Sequence, residues 1–147
     1  MKECAPGSPC PCGRKTGTGN AGSPGKALTY ANCCGRWLEA AAQSGDATPP
    51  DAESLMRSRY SAFVLEREAY LLSSWSASHR PESIAFEPGV KWLGLEVRAH
   101  RQTGEATAEV EFVARQKPLH GAAVRLHERS RFVCEQGRWL YVDGDAL

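Results

Sequence analysis

The spacing of apolar residues changes period part-way along the chain. Between Asp51 and Arg67, Met56, Tyr60, Phe63 and Val64 recur at helical intervals, with Arg57 and Arg59 beside them, the pattern of a helix with one apolar face. Thr48 is placed to cap this helix, Pro49 suits its first position, and Asp51 completes an acidic variant of the capping box. A second short helix is predicted over "EAYLLSSW", with Tyr70, Leu71 and Trp75 inward, before "SHRPES" and "FEPG" break the pattern. From Trp92 onward the period is two, and three extended runs are separated by "QTGE" and "KPLHGA". A last short run, "RWLYV", follows the turn "EQG". Helices followed by an antiparallel meander make an α+β fold.

Within the meander, Leu93, Leu95 and Val97 are expected on the buried face of the first strand, and Val110, Phe112 and Ala114 on that of the second. In the third, Val124, Leu126 and Phe132 share a row opposite Arg125, His127, Arg129 and Arg131. Glu109 and Glu111 are expected to meet Arg129 and Arg131 as solvated cross-strand pairs. The same alternation puts Glu128 and Ser130 in the inward row. A carboxylate aimed into a core needs a partner or a wet cavity. Three readings stay open: a buried pair with Arg57 or Arg59 that fixes helix against sheet, which the pattern favours; a ligand-binding or catalytic carboxylate; and a bulge that turns Glu128 outward. Tyr60, Trp75 and Trp92 complete the candidate pocket around Glu128 and Arg57. His127 alternates outward, and His79, His100 and His120 fall in loops or strand ends, so no His–Asp pair marks the pocket as catalytic.

The first third of the chain has neither period. "CPCGRKTGTGNAGSPGKALTYANCCG" places Cys10, Cys12, Cys33 and Cys34 at the ends of a Gly-, Ser- and Thr-rich run. The 147 residues carry a net charge of +1, which provides no broad positive field for nucleic acid. No apolar run is long enough to span a membrane and the N-terminus lacks a signal-peptide core, so the expected location is cytoplasmic. In a reducing compartment, clustered thiols read as metal ligands before disulfides. A disulfide staple is the alternative, although the Cys-Pro-Cys and Cys-Cys spacings make awkward bridges. Four thiolates close a tetrahedral zinc (Zn2+) site with no open position, so the ion would fold the segment rather than catalyse. A short helix over residues 36–43, ended by Gly45, should follow, on which Trp37 and Leu38 dock.

"CPCG" with "YANCCG" resembles the SEC-C zinc motif, C-P-C-G-S-G-x-x-Y-x-x-C-C, best known from the tail of the SecA translocation motor. "LMRSRYSAFV", "YLLSSW", "WLGLEV", "VEFVAR", "LHERSRFV" and "GRWLYVDGD" resemble the YchJ-like family of uncharacterised bacterial proteins, which join that motif to an NTF2-like domain. The resemblance implies a SEC-C motif and short helix over residues 1–45 and an NTF2-like cone over 46–147, with helices packed on a curved antiparallel sheet. It carries the ligand role to Cys10, Cys12, Cys33 and Cys34 and matches Tyr30 to the motif's tyrosine. Cys4 and Cys134 fall outside it. Twenty residues separate Cys12 from Cys33, a longer interval than the motif's, and the extra segment around "RKTGTGNAG" reads as a flexible insertion that weakens the site only modestly. Because the motif in the translocation motor docks proteins, a protein-binding or adaptor role is implied, with Arg14, Lys15, Lys26 and Trp37 around the knob. A homodimer through the sheet, a ligand or enzyme site in the cone, and a redox or zinc-storage role for the thiols are the other readings.

Overall fold

The structure is a computed structural model that describes residues 2–16, 25–44 and 48–147. A 3-10 turn over Tyr30–Asn32 leads into α1 (Gly35–Ser44), followed by α2 (Ala52–Val64) and α3 (Glu68–Ser73). Strands β1 (Lys91–Gln102), β2 (Thr107–Lys117), β3 (Val124–Glu135) and β4 (Arg138–Ala146) form one antiparallel sheet in the order β1-β2-β3-β4. The expected α+β order of helices and then a meander is present. Gly45 and most of the insertion lie outside the described residues. The insertion's base is a paired ladder: Thr16 N–H donates to Lys26 O at 2.8 Å and Leu28 N–H to Arg14 O at 2.9 Å.

Helix α2 begins later than its sequence signals suggest. Asp51, not Thr48, is the cap, its Oδ1 accepting from the Ser54 N–H at 2.7 Å. The reason is Pro50, whose ring disfavours helical backbone at Pro49 and so excludes that residue from the first turn. Most of α2 is buried, including Leu55, Met56, Tyr60 and also Ser54, Ser58, Arg59 and Ser61. A helix with polar residues on its buried sides must be serving more than one surface. After α3, which stops at Ser73 before Trp75, the chain is stitched to β4: Ser76 N–H donates to Tyr141 O at 2.7 Å and Tyr141 N–H to Ser74 O at 2.9 Å.

Bulges curve the sheet. In β1, Trp92 pairs with Gln116 and Gly94 with Arg115, so Leu93 has no partner and is 53% exposed. Leu93 is thus not a core residue, and Trp92, Leu95 and Val97 carry the packing instead. Gly94, at φ 148°, supplies the backbone conformation of the bulge. A second bulge follows Val97, and a third interrupts the β3–β4 ladder beside Phe132. In β3, Phe132 and Ser130 are buried as expected, whereas Val124 and Leu126 lie towards the open end of the sheet and are exposed. β4 extends through Ala146, well beyond the run "RWLYV". One apolar cluster runs continuously from the four cysteines and Leu38, through Leu55, Met56, Tyr60 and Leu71, to Val110 and Phe132.

Asp51→Ala should cost about 1 kcal/mol through the lost cap, while Thr48→Ala should stay within ~0.5 kcal/mol of the parent. Urea unfolding midpoints of the two variants check this, and equal losses would return the cap to Thr48.

Candidate functional site

Cys10 and Cys12 sit on a tight turn closed by the Gly13 N–H donating to Cys10 O at 3.0 Å, with Gly13 at φ 73° as the turn requires. The Cys10 N–H is anchored to Leu28 O at 2.9 Å. Cys33 and Cys34 lie between the 3-10 turn and α1, their carbonyls accepting from Arg36, Trp37 and Leu38 N–H groups. A side chain at Gly35 would meet Tyr30: an added Cβ lies 2.5 Å from Tyr30 O and 2.9 Å from its Cδ2. The Tyr30 hydroxyl donates to Glu39 Oε2 at 2.6 Å, and Glu39 pairs with Arg67 at 3.3 Å, so the motif's tyrosine ties the turn to α1 and the chain beyond α2.

This arrangement brings Cys10, Cys12, Cys33 and Cys34 together, with all four Sγ atoms within 4.8 Å of one another. They are 5%, 0%, 3% and 1% exposed. Cys12 and Cys33 Sγ stand 3.5 Å apart and all the cysteines are free, so the cluster is not a disulfide staple. Tetrahedral zinc–thiolate bonds place sulfurs about 3.8 Å apart, and four buried thiols at these separations fit a metal ion closely. Among the thiols themselves, hydrogen bonds from Cys12, Cys33 and Cys34 hold Cys10 far below the ordinary thiol range, and the bonds to Cys10 push Cys12 and Cys34 upward. Cys33 is lowered as well, to about 7, so the set has thiolate character at more than one position and could hold a cation. The N-terminus of α1 and Arg57 add positive potential: Arg57 Nη1 donates to Cys12 O at 3.2 Å and lies 4.0 Å from Cys12 Sγ, with Glu53 holding its Nε at 2.8 Å. Cys4 and Cys134 lie outside the cluster.

Arg57 is therefore not a pocket residue and does not pair with Glu128. Residues two apart on a helix point some 200° apart, and α2 sends Arg57 to the cysteines and Arg59 to the opposite side. There a cavity of about 530 Å³ opens between α2 and the sheet, lined by Arg59, Tyr60, Trp75, Trp92, Glu128 and Tyr141 among others. Tyr60 and Trp92 meet edge to face at 5.5 Å, as do Trp75 and Tyr141 at 5.2 Å. Glu128 faces this space, and Ser130 Oγ donates to its Oε2 at 2.8 Å. Gly144 gives the carboxylate room, since a Cβ there would lie 2.6 Å from Glu128 Oε1. Neither the expected Arg–carboxylate pair nor an outward bulge is present. Arg59, 6% exposed, donates through Nη1 to Leu71 O at 2.8 Å and Ser74 Oγ at 2.7 Å. Its guanidinium stacks 4.6 Å from the Tyr141 ring and 5.0 Å from Trp75, and burial pushes its pKa down to about 10, leaving it charged at neutral pH. Tyr141 escaped the sequence reading, although its alternation in "RWLYV" was visible.

The family described as "YchJ, middle NTF2-like domain" matches residues 51–144. The chain belongs to this YchJ family. Among its relatives, a "UPF0225 protein" of Polaromonas sp. strain JS666 is 64% identical over 141 residues, covering 95% of this chain and 94% of that protein. Another from Bordetella pertussis is 53% identical over 136 residues, covering 90% and 98%. Among solved structures, a SEC-C motif containing protein from Psychrobacter arcticus aligns with TM-score 0.71 at 30% identity, covering 92% of this chain and 80% of that one. One from Rhodopseudomonas palustris aligns with TM-score 0.67 at 29% identity, covering 84% and 94%. The YchJ-type NTF2-like domain and the cysteine cluster thus occur here as they were expected to.

The outer face of the sheet is charged, with pairings that differ from simple opposition. Arg129 meets Glu111 at 3.4 Å as expected, but Arg131 turns to Asp143 and Asp145, both at 2.6 Å, and Glu109 to Arg101 at 2.7 Å. His127 is held at 2.9 Å by Glu111. No helix among the described residues is long and apolar enough to cross a membrane.

Gly35→Ala and Arg57→Gln should each weaken metal retention roughly tenfold, as loss of groups that orient or support ligands does, whereas Cys4→Ser should leave it unchanged. Competition against a chromogenic chelator measures all three; an effect of Cys4→Ser equal to the others would bring that thiol into the site.

Proposed function

We propose that this protein binds a small molecule in its cone, and that a structural zinc ion at the four cysteines clamps the helix forming the cone's wall. The observation that carries the reading is the cavity itself: it has the size of small-ligand sites, aromatic walls, and a few polar groups that converge on it. Zinc is the metal best suited to four thiolates in a closed tetrahedral set, and the SEC-C likeness of the solved neighbours supports it. Reduced thiols of this kind suit the cytoplasm.

The protein-docking role implied by the SEC-C resemblance has less behind it. Arg14 is engaged by Ser54 and Glu53 at 2.9 and 3.7 Å, and Trp37 packs against the core with Arg36 over its ring. Only Lys15 and Lys26 of the anticipated contact residues stand exposed. Catalysis is not part of the proposal, because Glu128 is hydrogen-bonded to a serine and not to a second acid–base group.

Protein purified without added metal or chelator should carry about one zinc per chain, and the Cys33→Ser, Cys34→Ser variant none, by elemental analysis. Cinnamyl alcohol, a neutral aromatic probe, should shift the methyl resonances of Met56, Leu126 and Leu147, which line the cavity. Shifts absent at millimolar probe would count against a ligand site.

A further inference from the structure

The charge arrangement inside the cavity specifies more than that something binds. Arg59 is a permanently charged group, nine-tenths buried, on the cavity wall, and no carboxylate lies within ion-pair distance of it among the described residues. Its Nη1 is fully used by Leu71 O and Ser74 Oγ. Nε and Nη2 make no hydrogen bond among the described residues, yet neither is sealed off, since no buried side-chain polar atom there lacks a partner. Those two N–H groups form one edge of the guanidinium, and the residue that carries them lines the cavity. The Trp75 and Tyr141 rings lie 5.0 and 4.6 Å from the guanidinium carbon and hold it between them.

A planar pair of donors on a fixed edge matches the two oxygens of a carboxylate. A phosphate dianion would want further positive charge beside Arg59; of the other charged residues in the lining, Arg125 is exposed on the outward-alternating row of β3, His127 is paired with Glu111, and Glu128 is a carboxylate. Glu128 has Oε2 occupied by Ser130 and Oε1 beside Gly144, so it can accept a hydrogen bond from a hydroxyl or amino group but repels a second acid. Between these poles the wall is aromatic, with Phe63 and Tyr60 each packed on Trp92, at 6.0 and 5.5 Å, surfaces suited to a flat unsaturated body.

We propose that the cavity takes a planar organic monoacid, its carboxylate on the Nε–Nη2 edge of Arg59, its ring against Trp92 and its neighbours, and a hydroxyl or amino substituent towards Glu128. This rests on the reading of the cavity as a ligand site. It names the anchor: Arg59 is the residue that selects charge, and Glu128 the one that selects a donor at the other end.

Calorimetric titration of the zinc-loaded, full-length protein with cinnamate, cinnamamide and 4-hydroxycinnamate tests it. Cinnamate should bind about tenfold more tightly than cinnamamide or better, 4-hydroxycinnamate more tightly still, and Arg59→Gln should abolish the preference for acid over amide while retaining binding of the amide. If that variant fails to fold, the comparison of acid with amide on the parent protein decides alone. Equal affinity for acid and amide would overturn the monoacid inference while leaving the cavity a ligand site. No heat from any of the three, with no methyl shifts from cinnamyl alcohol, would overturn both.

Discussion

Four buried thiols within 4.8 Å of one another are a constraint that the rest of the molecule has to meet. Thiolates packed this closely repel one another, and a cation together with the positive groups around the cluster could offset that repulsion. Those groups come from two directions, the N-terminus of α1 and Arg57 of α2, and Ser61 adds its Oγ 3.7 Å from Cys10 Sγ. The cysteine segment is consequently fastened to α2 and shares its apolar cluster with the sheet. A knob whose sequence has too few apolar residues for a core of its own borrows one.

Helix α2 has two working surfaces as a result. Ser54, Arg57 and Ser61 face the cysteine segment, engaging Arg14, Cys12 and Cys10, while Met56, Arg59, Tyr60 and Phe63 line the cavity. The buried serines are the small polar residues that let the cysteine loop approach the helix closely. On the other side, bulges interrupt the ladders of the sheet, and the stitch between Ser74, Ser76 and Tyr141 holds β4 against the end of α3. The gap that remains is the cavity, and Arg59 is part of its wall.

The cysteine set was legible because clustered thiols in a chain of this character have few other uses, and the meander because its alternation is long. What escaped was governed by single residues. Pro50 moved the cap from Thr48 to Asp51 through a clash that acts on the residue before it. Counting by twos through Gly94 put Leu93 inside, since a bulge changes the parity of every residue counted across it. The inward carboxylate was found, but its partner was not: Arg57 and Arg59 looked equivalent as flanking residues, although helical geometry sends them to opposite sides. Ser130, in the row beside Glu128, was the available donor. Arg59's stacking on Tyr141 joins elements far apart in the chain, a contact that local pattern does not reveal.

The most direct test of the account is amide hydrogen exchange of the native protein compared with protein stripped by chelator. If the metal clamps α2, exchange should quicken in residues 28–44 and also across the buried amides of α2, Leu55 to Ala62, while β2 and β3 stay protected. Faster exchange confined to the cysteine segment, with α2 unchanged, would show that the cone stands without the metal and contradict the coupling.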